Sequence, residues 1–185
     1  MTCIIGLEYK DKVYIGGDAA GVAGISVEVR NDTKVFKRGP FIMGFTSSFR
    51  MGQLLMCKLR VPKQKKSQKD YDFMVTTFID AVRKCLLDGG FATDVRGQEI
   101  GGTFIVGYKN KLYYVDCDYQ VGMFATSYTA VGCGSDIALG AMYALSTSSN
   151  LKPKNMIQTA LKAAVEFNGG VRPPFTIIDG TGKLL

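Results

Sequence analysis

Histidine and tryptophan are both absent from the 185-residue chain, and proline occurs only five times. Without histidine there is no Ser-His or Cys-His nucleophile pair, and a principal zinc ligand is missing. The five cysteines, Cys3, Cys57, Cys85, Cys117 and Cys133, stand singly, with no CxxC pair. An odd count without framework spacing points to reduced thiols in a cytosol-like compartment, so a cytoplasmic location is expected. No apolar run approaches the ~20 residues of a membrane-spanning helix. The start of the chain lacks a basic segment followed by a long apolar stretch, so no secretion signal and no membrane association are expected. Any hydrolytic chemistry must take its base from a lysine, a carboxylate or a terminal amine. Neither a metal nor a cofactor is called for.

What is present is ordinary globular composition, with 46% hydrophobic and 21% charged residues. No linker, repeat or low-complexity tract divides it, so a single domain over residues 1–185 is expected. The net charge of +7 raises the question of nucleic acid. Much of the excess lies in residues 58–69, where Lys58, Arg60, Lys63, Lys65, Lys66 and Lys69 have no aromatic among them. A basic stretch without stacking platforms reads as a solvated loop, and no nucleic-acid partner is expected.

Along the chain, residues 2–9 and 12–18 read as a hairpin turning at Lys10, Asp11 and Lys12. Residues 19–24 are small and glycine-rich. Residues 27–29 and 34–37 read as a second pair turning at Asn31-Asp32, and residues 41–45 as a buried strand. Ser48 is placed to cap a helix that stops before Pro62, and residues 70–87 carry apolar residues at helical spacing. Strands follow at residues 102–107 and 111–116, with a turn at Asn110-Lys111, and at residues 124–131. Two helices are expected over residues 136–145 and 154–167, the first with small residues, including Gly140, that invite a close neighbour. A last strand covers residues 175–179. Strands, two helices, strands, two helices and a strand, in that order, imply an α+β fold of two sheets with helices outside.

The first twenty residues carry the chemistry. Thr2 stands directly behind Met1, at the head of the first expected strand. Removal of Met1 would give Thr2 a hydroxyl and a free α-amine of ordinary pKa about 7.7–8.0, so the amine is partly basic at neutral pH. A threonine activated by its own amine is an established way to make a hydroxyl nucleophilic.

Thr2, Gly16-Gly17-Asp18, Lys34-Val35-Phe36, Ile42-Met43-Gly44 and the run from Gly132 to Ala141 together resemble the proteasome β-subunit family and the related HslV-type peptidases. The resemblance covers nearly the whole chain. It implies a four-layer αββα sandwich of the N-terminal nucleophile hydrolase type and a threonine endopeptidase. Thr2 would be the nucleophile, Lys34 the ammonium beside its hydroxyl, Asp18 the carboxylate paired with that lysine, and Gly44 the backbone donor to the oxyanion. Cys133 stands where the family carries a serine near the terminal amine, a role that Cys133 or Ser135 would take or that is lost. The third polar partner is sought among Glu166, Phe167 and Asn168. Substrate would lie along Gly21, Val22 and Ala23 and along Gly44 to Ser47, including Thr46, with Ile42 favouring an apolar side chain at the cleaved position. The resemblance further implies a homo-oligomeric ring, an unfolded protein or peptide substrate, and an ATP-dependent unfoldase as partner. Two other readings fit the same fold: a catalytically inactive scaffold or assembly protein, and an amidase acting on a small amide.

Overall fold

Strand β1 (Ile4–Glu8) and strand β2 (Val13–Gly17) form the expected hairpin, with Ile4 opposite Gly17 and Glu8 opposite Val13. Lys10 and Asp11 take left-handed backbone angles, φ 48° and 56°. Such a turn has the twist that two flanking strands require. The computed structural model describes residues 1–95 and 98–185.

The hairpin is the centre of a four-stranded sheet. Strand β12 (Tyr128–Val131) pairs with β1, and strand β13 (Thr176–Asp179) pairs with β2. A five-stranded sheet lies against it, in the order β11 (Val121–Gly122), β10 (Lys111–Val115), β9 (Phe104–Tyr108), β6 (Phe41–Phe45) and β5 (Val35–Arg38). All neighbours in both sheets are antiparallel, and a separate short pair is formed by β7 (Thr93–Val95) and β8 (Gln98–Ile100).

Alternation along β1 sorts its side chains into two cores. Ile4 enters the inter-sheet core with Val13, Ile15, Val35, Ile42 and Ile105. Cys3, Ile5 and Leu7 face the opposite way, into a core with Ala138, Ile157 and Leu161 from the helices α4 (Ser135–Ser148) and α5 (Pro153–Phe167). Both faces are therefore buried, which is why the strand reads as a continuous apolar run. On the other side, α1 (Phe49–Cys57), α2 (Asp70–Phe73) and α3 (Ile79–Asp88) cover the five-stranded sheet through Phe41, Met43, Phe73 and Phe78. A π-helical segment, Met74–Phe78, joins α2 to α3. The result is the αββα sandwich. Among the described residues, no helix is long and apolar enough to cross a membrane.

Several local expectations need correction. Residues 27–29 do not pair with 34–37. Strand β4 (Ser26–Val29) instead folds back on β3 (Ala20–Ala23) around Gly24, whose φ of 58° suits glycine, while β5 pairs with β6. The turn after β9 is made by Lys109 and Asn110, not Asn110 and Lys111. Among the described residues nothing lies within 4 Å of a Cβ added at Gly140, so the small residues of α4 pack at Ala138 and Ala141 and not along the whole helix. Ser48 caps α1 as expected, its Oγ accepting from Arg50 N at 3.1 Å.

Candidate active site

The end of β2 runs beside the start of β1, and this brings Asp18 beneath Thr2 and Cys3. Asp18 N donates to the Cys3 carbonyl at 3.2 Å, and Cys3 N donates back to Asp18 Oδ1 at 3.0 Å. Oδ1 also accepts from Lys34 Nζ at 2.8 Å, while Oδ2 accepts from Ala20 N at 2.9 Å and Arg172 N at 3.1 Å. Four donors thus saturate a carboxylate that is only 3% exposed, and Lys34 is 2% exposed. Buried charges are tolerated when paired and hydrogen-bonded in this way. Burial pushes the Lys34 ammonium below its ordinary value, and the adjacent Asp18 works against that shift. Burial, with Asp18 nearby, pushes the Cys3 thiol up to about 12 and so keeps it neutral beside the pair.

Thr2 is itself 4% exposed and lies under Met1, which is 58% exposed. Its carbonyl accepts from Gly134 N at 3.2 Å, its nitrogen faces Cys133 Sγ at 3.3 Å, and its hydroxyl donates to the Met1 carbonyl. Cys133 Sγ in turn donates to Asn168 Oδ1 at 3.2 Å, and Asn168 Nδ2 donates to the Cys133 carbonyl at 2.7 Å. Gly170 N holds the same Asn168 oxygen at 2.9 Å. Of the two side chains considered for the amine, Cys133 is the one at Thr2; the Ser135 hydroxyl is directed to Asp136.

Thr2, Lys34, Val22 and Thr46 border one small cavity of about 60 Å³, together with Met1 and the chain from Phe45 to Phe49. Helix α1 begins at this cavity with Phe49, so the positive end of its dipole lies beside it. Gly21 is adjacent in β3, where a Cβ would come within 2.7 Å of Arg30 Cδ. Gly44 and Ile42 are not brought to the cavity. Gly44 sits mid-strand between Val35 and Ile105, its open face filled by Ile4 and Ile15, and Ile42 lies in the inter-sheet core. Of Glu166, Phe167 and Asn168, it is Asn168, at the C-terminal cap of α5, whose side chain reaches Cys133. The main chain of Arg172 carried no sequence signal, and Ser48 marked the start of α1 without showing that it borders this cavity. No cluster of metal-ligating side chains occurs among the described residues.

Gly132 is the residue on which this packing depends most sharply. Its φ is 101°, and a Cβ there would lie 2.2 Å from the Thr2 carbonyl oxygen. Gly132→Ala should destabilise the protein by at least about 2 kcal/mol through strain and overlap with fixed backbone. A fall of roughly 5 °C or more in melting temperature checks this.

Thiobacillus denitrificans BPH in complex with epoxomicin superposes with a TM-score of 0.77 at 20% identity, covering 96% of this chain and 97% of that one. HslV from Trypanosoma brucei gives 0.69 at 17% identity, with 96% and 98% covered. An Anbu mutant from a Hyphomicrobium species gives 0.71 at 14% identity, with 100% and 85% covered. No curated protein matches the chain. The structural likenesses establish the fold, and the sequence itself matches the proteasome subunit family over residues 1–167. With the sandwich in place and the match extending over most of its length, the chain belongs to the proteasome subunit family.

Proposed function

We propose that the protein is a threonine-type endopeptidase whose nucleophile is Thr2, freed by removal of Met1 and working inside a closed ring of like subunits. The observation that carries this reading is the fully saturated Asp18–Lys34 pair buried at the cavity that Thr2 and Lys34 share. A buried charge pair is a poor source of stability compared with apolar packing, so its presence at the cavity that Thr2 borders favours a chemical role.

Loss of Met1 turns the Thr2 nitrogen from an amide into an amine. The amine takes the hydroxyl proton as Oγ1 bonds to the substrate carbonyl carbon, and the carbonyl electron pair moves onto oxygen. Lys34, held by Asp18, supplies positive potential to the oxygen that loses its proton. The N–H groups at the start of α1, rather than Gly44, face the developing oxyanion. Collapse breaks the C–N bond, the Thr2 ammonium protonates the leaving amine, and water then hydrolyses the ester by the same path. Cys133, oriented by Asn168, marks the position of the amine. Val22 and Thr46 border the substrate side. An extended peptide would add beside β3 by main-chain bonding.

Because burial dominates the shift at Lys34, its ammonium is lost at a lower pH than in free lysine. The kcat/KM profile should therefore fall on its alkaline side below the ordinary lysine pKa. A profile flat to that value would show that the Lys34 charge takes no part. The test of the proposal as a whole is hydrolysis of fluorogenic peptides by the Met1-free protein and its inhibition by epoxomicin. Hydrolysis that epoxomicin stops supports it, and a Met1-free protein inert to both refutes it.

A second reading, an inactive assembly protein, is favoured by the fit of Met1. Gly170 leaves room that a Cβ, only 2.6 Å from Met1 Cβ, would occupy, and the Met1 carbonyl takes the Thr2 hydroxyl. In that reading native material keeps Met1, whereas the peptidase reading requires its loss. For the ring and a partner unfoldase, native mass spectrometry of the assembly alone and with candidate ATPases is the corresponding measurement.

A further inference from the structure

The largest concentration of charge lies far from Thr2 in sequence and takes no part in its chemistry. Between residues 58 and 69 there are six cations, Lys58, Arg60, Lys63, Lys65, Lys66 and Lys69, and no carboxylate. All six are exposed. Such a run repels itself and raises the free energy of the compact chain.

The segment is nonetheless pinned. Leu59 is fully buried, and its carbonyl accepts from Arg38 Nε at 3.1 Å and Nη2 at 2.9 Å. Gln64 Nε2 donates to the Gln68 carbonyl at 2.8 Å and to Asp70 Oδ1 at 2.7 Å, while Tyr108 OH donates to Gln64 Oε1 at 2.8 Å. Buried and bonded side chains thus alternate with outward cations. The segment is anchored at Leu59 and Gln64, while its six cations stand in solvent as the composition implies.

Two cavities flank the segment. One, of about 440 Å³, lies between α1 and α3 with Leu54, Ala81 and Cys85 in its lining and Lys58, Arg60 and Lys84 around them. The other, of about 710 Å³, includes Pro40, Val61 and Pro62 beside Lys63, Lys65 and Lys66. Some of this charge has local work. Arg50 Nη2 reaches the Gly89 carbonyl at the end of α3, and Lys84 pairs with Asp88. Among the described residues, the side chains of Lys58, Arg60, Lys63, Lys65, Lys66 and Lys69 make no hydrogen bond or ion pair with the rest of the chain.

We propose that residues 58–69 and the two cavities they separate form a docking surface for an acidic peptide segment of a partner protein. Carboxylates would meet the cations, and apolar side chains between them would enter the apolar lining. Nucleic acid fits less well. No aromatic ring borders the first cavity, and the one in the second, Tyr108, is 6% exposed with its hydroxyl held by Gln64, so neither offers a stacking platform. The surface does not depend on Thr2 acting as a nucleophile.

Fluorescence anisotropy of the assembled protein with a fluorescein-labelled peptide of repeating Glu-Glu-Leu units tests this. Binding that weakens with salt is expected, together with a loss of at least about tenfold in affinity for Lys58→Glu/Arg60→Glu and for Lys65→Glu/Lys66→Glu. The control Lys154→Glu/Lys162→Glu, on exposed positions of α5, should bind as the parent does. The substituted side chains are all exposed, and unchanged melting temperatures confirm that each variant is folded. Undiminished peptide binding by both reversal variants would overturn the proposal. So would a thymidine oligonucleotide, or phosphatidylserine-containing vesicles, binding as tightly as the peptide.

Discussion

Thr2→Ala in the Met1-free protein should lower peptide hydrolysis by at least about a thousandfold, because removal of a covalent nucleophile leaves only binding and oxyanion contacts. The loss should appear in kcat, with KM little changed. The Thr2 hydroxyl donates only to the Met1 carbonyl, a group absent once Met1 is gone. Stability should therefore move by no more than about 0.5–1 kcal/mol. Thr2→Ser keeps the hydroxyl and the amine and should retain measurable turnover. Equal activity in the alanine variant and the parent would remove Thr2 from the chemistry altogether.

Asp18→Ala should have the largest effect on stability. It leaves Lys34 as a buried cation without its partner, together with the amides of Cys3, Ala20 and Arg172 that the carboxylate accepts. Breaking a buried pair from one side costs about 3–5 kcal/mol. The expected fall in melting temperature is roughly 10–15 °C. Because the same carboxylate ties the start of β1 to the segment after α5, activity should be lost as well. Asp18→Ala/Lys34→Met removes both charges and should recover part of the stability but none of the activity. A double variant no more stable than Asp18→Ala would mean that the amides, not the orphaned ammonium, carry the cost. This pairing of readouts separates the electrostatic role from the structural one.

The sandwich was largely legible from patterning, since runs such as residues 3–7 and 41–45 are apolar on both faces and the helices carry caps and helical spacing. The same feature explains why patterning did not show that Gly44 and Ile42 lie off the cavity lining. Every residue of β6 is buried, so alternation does not tell which face meets the other sheet and which meets the helices. Phe41, Met43 and Phe45 face the helices, and this leaves Ile42 and Gly44 between the sheets. The β3–β4 hairpin was missed because its residues are small or exposed, and its register follows from the turn at Gly24, not from any apolar pattern. Asp18 and Lys34 were named as a pair through the family resemblance, and the structure joins them at 2.8 Å. Asn168 was not singled out, because its contact with Cys133 spans 35 residues and depends on how the chain turns after α5. Arg172 acts through its main chain, which no side-chain pattern reveals.

Intact-mass analysis of the purified assembly, before and after incubation with epoxomicin, tests the account most directly. The account predicts a chain lighter by one methionine that gains a single inhibitor per subunit, with the adduct mapped to Thr2. A chain that retains Met1 yet hydrolyses peptides, or a Met1-free chain that hydrolyses them with no adduct at Thr2, would contradict it.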